Sequence, residues 1–374
     1  MRKLPLLALV LLPGCARAQG GDPLAPLLEF ARRQPGDVAV VTYAVRADGA
    51  PDPARHRLAW NAERPMPLAS TRKVVLLAAY ARAVEAGRLD PGAPVRLSEW
   101  EAYYVPGIDG GAHPASLKAL GIPADAHGRA RDGSRTVPLD TLARFMIETS
   151  DNAAADLILS RLGPGAIPGT ARALGLSGQE DFGPILGMVG HWAAPDALNV
   201  YAGQPLATRV ARDWAKANDL SRDAQARGDL TRLPTWPSAA EQARLADATD
   251  PRGTANDSAG LMARVLTGTG LGKTELEVMR RHLGWPLRVN PDNAQAFTAL
   301  YAKGGSLTGV LTNTFAFAPK VGPRAGERLV VSVFLRRIPP NEAGRLTQSL
   351  EGAMLSVALL PGEARRLLGA LRSR

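Results

Sequence analysis

The chain contains 374 residues, of which 45% are hydrophobic and 21% are charged. These proportions are those of an ordinary globular protein, and the length suits one large domain or two interleaved ones. The formal net charge is +10, but the basic residues are scattered and never form a block of five, which argues against a nucleic-acid-binding protein. The positive excess instead favours a mild attraction to anionic substrates or cell-wall polymers.

Residues 1–18 have the features of a secretory signal peptide. Two basic residues precede an apolar run at 4–12, which is too short to span a membrane, and small residues follow it. The Leu-Pro-Gly-Cys stretch that ends at Cys15 resembles a bacterial lipoprotein box, which would leave a lipid anchor on this cysteine. Ala16-Arg17-Ala18 is instead an A-x-A cleavage site that would remove it. We expect an exported protein of the periplasm or cell envelope, without an internal disulfide because Cys15 is the only cysteine.

The rest of the sequence predicts strands at the two ends and helices in the middle. Hydrophobic periodicity and turn residues predict a helix at 24–33, strands at 38–45 and 57–60, mainly helices from 70 to 285, strands at 307–318 and 329–335, and a helix at 341–360. This order predicts an α+β fold, with an antiparallel sheet built from 22–69 and 290–374 and flanked by helices. A helical domain at 70–289 would interrupt it. Two long segments, 103–138 and 204–247, are predicted insertions.

Ser70 and Lys73 form the first of three motifs that indicate acyl-transfer chemistry. They open the apolar run 74–80, so we predict Ser70 in the first turn of a helix with Lys73 one turn along on the same face. A hydroxyl is a weak nucleophile, and a desolvated lysine near a helix N-terminus can accept its proton. The alternative is a plain surface lysine. It is disfavoured because only seven of the 45 basic residues are lysines and no other serine has a lysine at this spacing.

The second motif, Ser150-Asp151-Asn152, lies at a polar break between two predicted helices. Residues of these types often do no more than cap the following helix, and such a role is compatible with a functional one. In the functional interpretation, Ser150 relays a proton to a leaving group. Asn152 donates an amide hydrogen bond to a substrate carbonyl and helps to hold Lys73.

The third motif, Lys303-Gly304-Gly305, precedes the predicted strand at 307–318. We predict that Lys303 attracts a substrate carboxylate, while the two glycines allow a substrate backbone to approach closely. Taken alone, a Lys-Gly-Gly run is more simply explained as a bulge or a turn. Its position after the other two motifs favours the functional interpretation.

These three motifs, in this order, resemble those of the class A β-lactamases and the wider group of penicillin-recognising serine hydrolases, which carry Ser-x-x-Lys, Ser-Asp-Asn and Lys-Thr-Gly. The resemblance extends over about residues 22–360. It implies that Ser70 is the nucleophile and Lys73 its general base or proton relay. It also implies that Ser150 donates the proton to the departing nitrogen.

The same resemblance implies which residues bind the substrate. Asn152 would be a substrate ligand, and Lys303 would bind the substrate carboxylate beside Gly305. The backbone N–H groups of Ser70 and Ser306 would form the oxyanion hole.

Two positions depart from the family's pattern. The family's Lys-Thr-Gly has a central hydroxyl that helps to hold the substrate carboxylate, but the central residue here is Gly304. Ser306 or Thr308 would have to compensate for it.

The second departure concerns the carboxylate that would activate water for deacylation. The family carries Glu-x-x-Leu-Asn, and alignment on Leu198-Asn199 places Pro195 at the glutamate position. Asp196 is the nearest carboxylate and therefore the predicted base, with Glu180 and Asp181 as earlier candidates. Helix capping or a solvated loop is the alternative role for Asp196.

Three functions are compatible with this sequence. One is a β-lactam-hydrolysing serine enzyme that forms an acyl-enzyme on Ser70, and another is a D,D-peptidase or esterase with the same nucleophile. The third is a penicillin-binding sensor that acylates without turnover. The missing glutamate favours the last two, and the overall layout favours the first. We expect a monomer that binds a β-lactam or a peptidoglycan-like molecule, without a cofactor, since the five histidines lack metal-ligand spacing.

Overall fold

The computed structural model describes residues 22–52, 54–55 and 57–373. The predicted signal peptide, with Cys15 and both of its processing sites, lies outside the described residues. Within the described ranges, no helix combines the length and the apolar character that crossing a membrane requires.

The described residues form helices and strands in the following order. The α-helices are α1 (Ala25–Arg33), α2 (Lys73–Glu85), α3 (Leu97–Trp100), α4 (Ala112–Ala119), α5 (Leu139–Glu148), α6 (Asn152–Leu162), α7 (Ala166–Leu174), α8 (Ile185–Trp192), α9 (Ala197–Val200), α10 (Leu206–Arg222), α11 (Ala224–Asp229), α12 (Ala239–Thr249), α13 (Ala255–Thr267), α14 (Lys273–Leu283), α15 (Trp285–Val289), α16 (Asn293–Ala296), α17 (Pro340–Leu359) and α18 (Pro361–Arg372). The strands are β1 (Val38–Ala44), β2 (Leu58–Trp60), β3 (Met66–Pro67), β4 (Pro94–Arg96), β5 (Thr136–Pro138), β6 (Arg252–Gly253), β7 (Phe297–Leu307), β8 (Val310–Pro319) and β9 (Leu329–Leu335).

The chain is divided into two compact units. The helical unit comprises Lys73–Ala173 and Glu180–Thr249, and the sheet unit comprises 22–72, 174–179 and 250–373, as far as these are described. The strands of the sheet unit pair antiparallel and are flanked by helices. The predicted α+β class is therefore confirmed.

The sheet unit is built on five strands in the order β2-β1-β9-β8-β7. Alternate residues of the strands, such as Val40, Phe315 and Val333, form one apolar core together with residues of α1, α17 and α18. Side chains of a strand alternate between its two faces, so this core occupies one face of the sheet. Strand β7 is at the end of the order, and one of its sides is a sheet edge among the described strands.

The strand predicted at 307–318 differs from the observed strands. Two strands, β7 and β8, form a hairpin in which Leu307 pairs with Val310. Gly309 adopts a φ of 77° in the turn between them, a conformation that glycine tolerates well. The Lys-Gly-Gly motif itself lies inside β7. Its residues have low strand propensity, and their strand conformation is stabilised by pairing with β8.

The predicted helical domain at 70–289 also differs from the compact units. Its last part, from 250 onward, belongs to the sheet unit, because α13 packs against β8 and β9. Helix α13 buries Leu261, Met262 and Val265. A helical pattern shows which residues are buried but not which neighbour covers them, so the sequence did not indicate this boundary.

In the helical unit, α8 and α10 pack closely against each other. A Cβ atom added to Gly187 on α8 would overlap the backbone carbonyl of Asp213 on α10. The predicted insertion at 204–247 contains α10, α11 and most of α12. The predicted insertion at 103–138 contains α4 and β5. Both insertions are therefore ordered parts of this unit.

We predict that Gly187→Ala lowers the free energy of unfolding by about 1–3 kcal/mol, because the added methyl group would force α8 and α10 apart. Chemical denaturation monitored by circular dichroism measures this change. The matched control is Gly344→Ala on α17, where an added Cβ meets no atom within 4 Å. There the change should be neutral or stabilising by up to about 1 kcal/mol, since alanine has the higher helix propensity. Equal effects at the two positions would contradict the close packing.

Candidate active site

The predicted site residues fall into two groups, because the chain passes from the sheet unit into the helical unit between Arg72 and Lys73. The serine group, in the sheet unit, contains Ser70, Lys303, Gly305 and Ser306. The lysine group, in the helical unit, contains Lys73, Ser150, Asp151 and Asn152.

Ser70 is half-buried in a 3₁₀ turn, Ala69–Arg72, that leads directly into α2. The turn begins at Ala69, a non-glycine residue with a φ of 45°, which is a strained conformation. Its N–H donates to Oδ2 of the buried Asp250 at 2.6 Å, and Arg72 lies 3.5 Å from the other carboxylate oxygen. Burial raises the pKa of Asp250, although Arg72 opposes the shift. Asp250 thus fixes the backbone immediately before Ser70.

Gly305 on β7 lies directly against this turn. A Cβ atom at this position would overlap the backbone nitrogen of Ser70 and would lie 2.9 Å from that of Thr71. Thr312 of β8 lies opposite Gly305 and donates through its hydroxyl to the carbonyl of Leu68 at 2.8 Å. Only glycine allows the strand and the backbone of Ser70 to approach this closely.

The free edge of β7 carries the other predicted groups of the serine group. Lys303 is buried, and its Nζ donates to the carbonyl oxygen of Gly304 at 2.6 Å. Backbone groups of successive residues point to opposite sides of a strand. Leu307 pairs with Val310 at the end of the hairpin, and Thr312 Oγ1 lies 3.4 Å from the carbonyl oxygen of Gly305. The backbone groups of Gly305 and Leu307 thus face β8, and those of Gly304 and Ser306 face the free edge. The predicted oxyanion role of the Ser306 N–H requires this direction.

In the lysine group, Lys73 is fully buried at the start of α2. Its Nζ donates to the carbonyl oxygen of Ser150 at 2.6 Å and to Oδ1 of Asn152 at 2.7 Å, and it lies 3.3 Å from Oγ of Ser150. Ser150 has a φ of 66°. This strained conformation turns both its carbonyl and its hydroxyl towards one amine, and strain of this kind is often found at functional sites.

Asp151 is the N-cap of α6 and accepts from the N–H of Ala154 at 2.9 Å. Its other oxygen lies 2.9 Å from Nδ1 of His113, a fully buried ring whose Nε2 lies 3.3 Å from Glu101. Burial opposes a charge on His113, but Asp151 and Glu101 outweigh it and raise its pKa to about 9. Burial likewise would raise the pKa of Asp151, yet His113 and then Lys73 hold it below its ordinary value. A buried imidazolium ion thus supports the loop that contacts Lys73.

A pocket lies beside Asn152 in the helical unit. Its two carboxylates are occupied by backbone N–H groups: Asp156 accepts from the N–H of Ile185 and that of Leu186, each at 2.7 Å, and Asp109 accepts from two others. Beside Asp156, the side chains of Ile185 and Leu186 contribute apolar lining to the pocket. The pocket is lined by Tyr103, Tyr104, Val105, Ile108, Asp109, Asn152, Ala153, Asp156, Ile185 and Leu186.

A known family matches most of the chain. The profile described as "Beta-lactamase enzyme family" matches residues 29–347. This chain belongs to the β-lactamase enzyme family. Among curated protein sequences, none is similar enough to count as a match.

Two solved structures show how far this β-lactamase family member shares a fold with others. A β-lactamase from Sphaerobacter thermophilus has a TM-score of 0.52 and 19% identity, with 89% of this chain and 96% of that chain covered. A variant of the last common ancestor of Gram-negative bacteria β-lactamase class A has a TM-score of 0.52 and 18% identity, with 90% and 98% covered. These likenesses show the fold.

The position of Asp196 does not support its predicted role as the deacylating base of this family member. Asp196 is exposed at the start of α9, in a left-handed conformation with a φ of 54°. Its carboxylate accepts from the side-chain amide of Asn199 at 2.7 Å, and it is not among the described residues that line the pocket beside Asn152. This placement fits the alternative role, a solvated turn.

Sequence reasoning missed three supporting residues: His113, Asp156 and Asp250. Each is titratable and buried. Asp156 and Asp250 accept hydrogen bonds from backbone N–H groups, and His113 contacts the side chain of Asp151 in the second motif. Asp156 follows Asn152 by four residues, one helical turn along α6, and this was the one signal in the sequence that placed it on the same face. No comparable spacing marks His113 or Asp250, because their partners are distant in sequence.

We predict that His113→Gln destabilises the protein by on the order of 3 kcal/mol near pH 6 and by much less above pH 9. The pKa of His113 in the folded protein, about 9, lies above the ordinary 6.5. The stabilisation is therefore complete below about pH 6.5 and is lost as the pH rises through 9. Urea denaturation at several pH values measures it. His127→Gln, at an exposed histidine, is the control and should follow the wild-type curve. If the free energy of unfolding of wild type and of His113→Gln changed with pH in parallel, the ion pair would be absent.

Proposed function

We propose that this protein opens β-lactam amides through an acyl-enzyme on Ser70. The observation that carries the proposal is the environment of Lys73. A fully buried amine, three residues after a serine, contacts the hydroxyl and carbonyl of Ser150 and the amide oxygen of Asn152 at once. A surface lysine with a structural role needs no such arrangement, whereas proton transfer between two hydroxyl groups does.

In the proposed acylation step a C–O bond to Ser70 replaces the lactam C–N bond, and three proton transfers carry, in net, one proton from Ser70 to the departing nitrogen. Oγ of Ser70 attacks the lactam carbonyl carbon, and its proton passes to the neutral form of Lys73. The C–N bond then breaks as Ser150 delivers a proton to the departing nitrogen and recovers one from Lys73. In this mechanism the N–H groups of Ser70 and Ser306 stabilise the oxyanion.

The substrate would be held by one charged group and one neutral hydrogen-bond donor. Lys303 at the free edge of β7 supplies a positive charge for the substrate carboxylate. Asn152 uses its Oδ1 for Lys73, which leaves its NH₂ group to donate to a substrate carbonyl. The leader at 1–18 supports export, and we propose that the protein acts in the cell envelope.

A second candidate function is acylation without efficient hydrolysis, as in a penicillin-binding sensor. The pocket beside Asn152 favours it, because Ile185 and Leu186 line the wall and both carboxylates accept backbone hydrogen bonds. Because both oxygens of Asp156 accept backbone N–H groups, this carboxylate is poorly placed to orient a water molecule. Deacylation would then be slow, and the acyl-enzyme would accumulate.

Incubation with a chromogenic cephalosporin, followed by intact-protein mass spectrometry, separates these functions. Rapid colour change with little adduct supports the hydrolase, and one equivalent of a long-lived adduct supports the sensor. Neither colour nor adduct with several β-lactams would contradict the proposal.

We predict that Ser70→Ala abolishes both adduct formation and hydrolysis while the protein remains folded. Lys73→Arg should lower the acylation rate by about 10²-fold or more, because arginine keeps the charge but cannot take up a proton. Lys118→Arg on α4, at an exposed lysine, is the control and should react at the wild-type rate. A penicillin adduct on Ser70→Ala would remove Ser70 from the mechanism, and a fully active Lys73→Arg enzyme would remove the proton-transfer role.

We further predict that Asp196→Asn changes neither the acylation rate nor the deacylation rate. Asparagine tolerates the left-handed conformation at this position, so stability should also be retained. Pre-steady-state kinetics with mass detection measures both rates. Accumulation of acyl-enzyme in Asp196→Asn alone would reinstate Asp196 as the base.

A further inference from the structure

Asn313 is a polar side chain in an otherwise apolar row of the sheet. It lies in β8 between Val333 of β9 and Gly304 of β7, on the sheet face that carries the apolar core. It is 5% exposed, and its Oδ1 has no hydrogen-bond partner among the described residues. An orphan buried acceptor costs about 1–3 kcal/mol, so its presence at this point of the sheet calls for a function.

We propose that the carboxamide of Asn313 binds the carboxylate of the substrate together with Lys303, in place of the hydroxyl that is missing at Gly304. This proposal rests on the proposed function, since it concerns the substrate of the same serine group.

The first argument is steric. A Cβ atom at Gly304 would overlap Oδ1 of Asn313, and it would lie 3.4 Å from Cγ. The carboxamide therefore occupies the space that a side chain at 304 would fill. Residues directly opposite in an antiparallel pair have their side chains on the same face. A side chain of β8 can extend across β7 towards the free edge only when the opposite residue has no side chain of its own.

The second argument is the position of the positive charge. Nζ of Lys303 donates to the carbonyl oxygen of Gly304, which points towards the free edge of β7. The ammonium group and the Asn313 carboxamide thus meet at the same residue, Gly304. A carboxylate that binds to this ammonium group has a second, neutral hydrogen-bonding group beside it.

The third argument is chemical. A carboxamide has one acceptor oxygen and an NH₂ group with two donors, and a half-turn about its last torsion exchanges them. After this half-turn, the NH₂ group of Asn313 takes the place of Oδ1 above Gly304 and donates to a carboxylate oxygen, as a hydroxyl would. Ser306 and Thr308 were the sequence-based alternatives for this role. The Ser306 side chain is exposed, and Thr308 lies in the hairpin turn beyond the end of β7.

The test compares a penicillin with its methyl ester on wild type, Asn313→Ala and Asn313→Leu. Leucine has the same branching and number of side-chain heavy atoms as asparagine and removes the orphan oxygen, so stability should be retained or raised. We expect both variants to lose about 10- to 100-fold in the second-order acylation rate constant with the free carboxylate. The loss should lie in binding rather than in the bond-breaking step, and the methyl ester should react as with wild type. Equal losses on both substrates, or no loss on either, would overturn the proposal.

A swap variant tests whether the carboxamide replaces a hydroxyl. In Gly304→Ser/Asn313→Ala, a serine hydroxyl can occupy the space that the carboxamide leaves. We expect it to recover most of the preference for the free carboxylate that Asn313→Ala loses. A folded double variant that remains as unselective as Asn313→Ala would overturn the proposal.

Calorimetric binding distinguishes failure of this proposal from failure of the proposed function. Without the nucleophile, Ser70→Ala can bind a penicillin only non-covalently. We expect Ser70→Ala/Asn313→Leu to bind the free carboxylate about 10-fold more weakly than Ser70→Ala, and the methyl ester equally well. Equal binding of the free carboxylate by the two variants, or no detectable binding of it by Ser70→Ala itself, would overturn the role of Asn313. The absence of an adduct on wild type would contradict only the acyl-enzyme mechanism.

Discussion

The burial of the Lys73 amine is the constraint on which the rest of the helical unit's site depends. A charged amine removed from water is costly unless its hydrogen bonds are satisfied. Ser150 and Asn152 satisfy them, and this requires the positive φ of Ser150. The strained loop is in turn held by Asp151, which caps α6 and pairs with His113. The function of the motif and the stability of the loop therefore have the same physical origin.

A second constraint is the absence of side chains at two adjacent positions of β7. Gly305 lets the strand lie against the backbone of Ser70, and Gly304 leaves its space to Asn313. The two glycines act on opposite faces of the strand, because side-chain directions alternate along it. A side chain in place of Gly305 would displace the backbone turn that contains Ser70. A side chain in place of Gly304 would displace only the side chain of Asn313.

The lining of the pocket beside Asn152 bears on the proposed alternative, acylation without efficient hydrolysis. Asp156 is close to Asn152 in sequence but accepts two backbone N–H groups at the start of α8. Both oxygens of Asp156 are thus engaged by backbone N–H groups. The segment that Asp156 holds presents Ile185 and Leu186 to the pocket. The same hydrogen bonds that order this segment therefore place two aliphatic side chains in the wall of the pocket.

The sequence by itself determined the fold class and the motif residues. Ser70, Lys73 and Ser150 could be found because their spacing or their position at a helix break is local, and local rules govern helices and caps. The hairpin of β7 and β8, the packing of α13 on the sheet and the sharing of Asp151 between a cap and His113 were decided only by tertiary structure. Each involves partners that are distant in sequence, so no local pattern reports them. Asp196 was chosen for its proximity to an aligned motif along the chain, which does not by itself fix where a carboxylate lies in the folded protein, and its role as the base stays a prediction. The position of Asn313 opposite Gly304 could not be predicted either, because it depends on the register between β7 and β8, and this register is set by the pairing of whole strands.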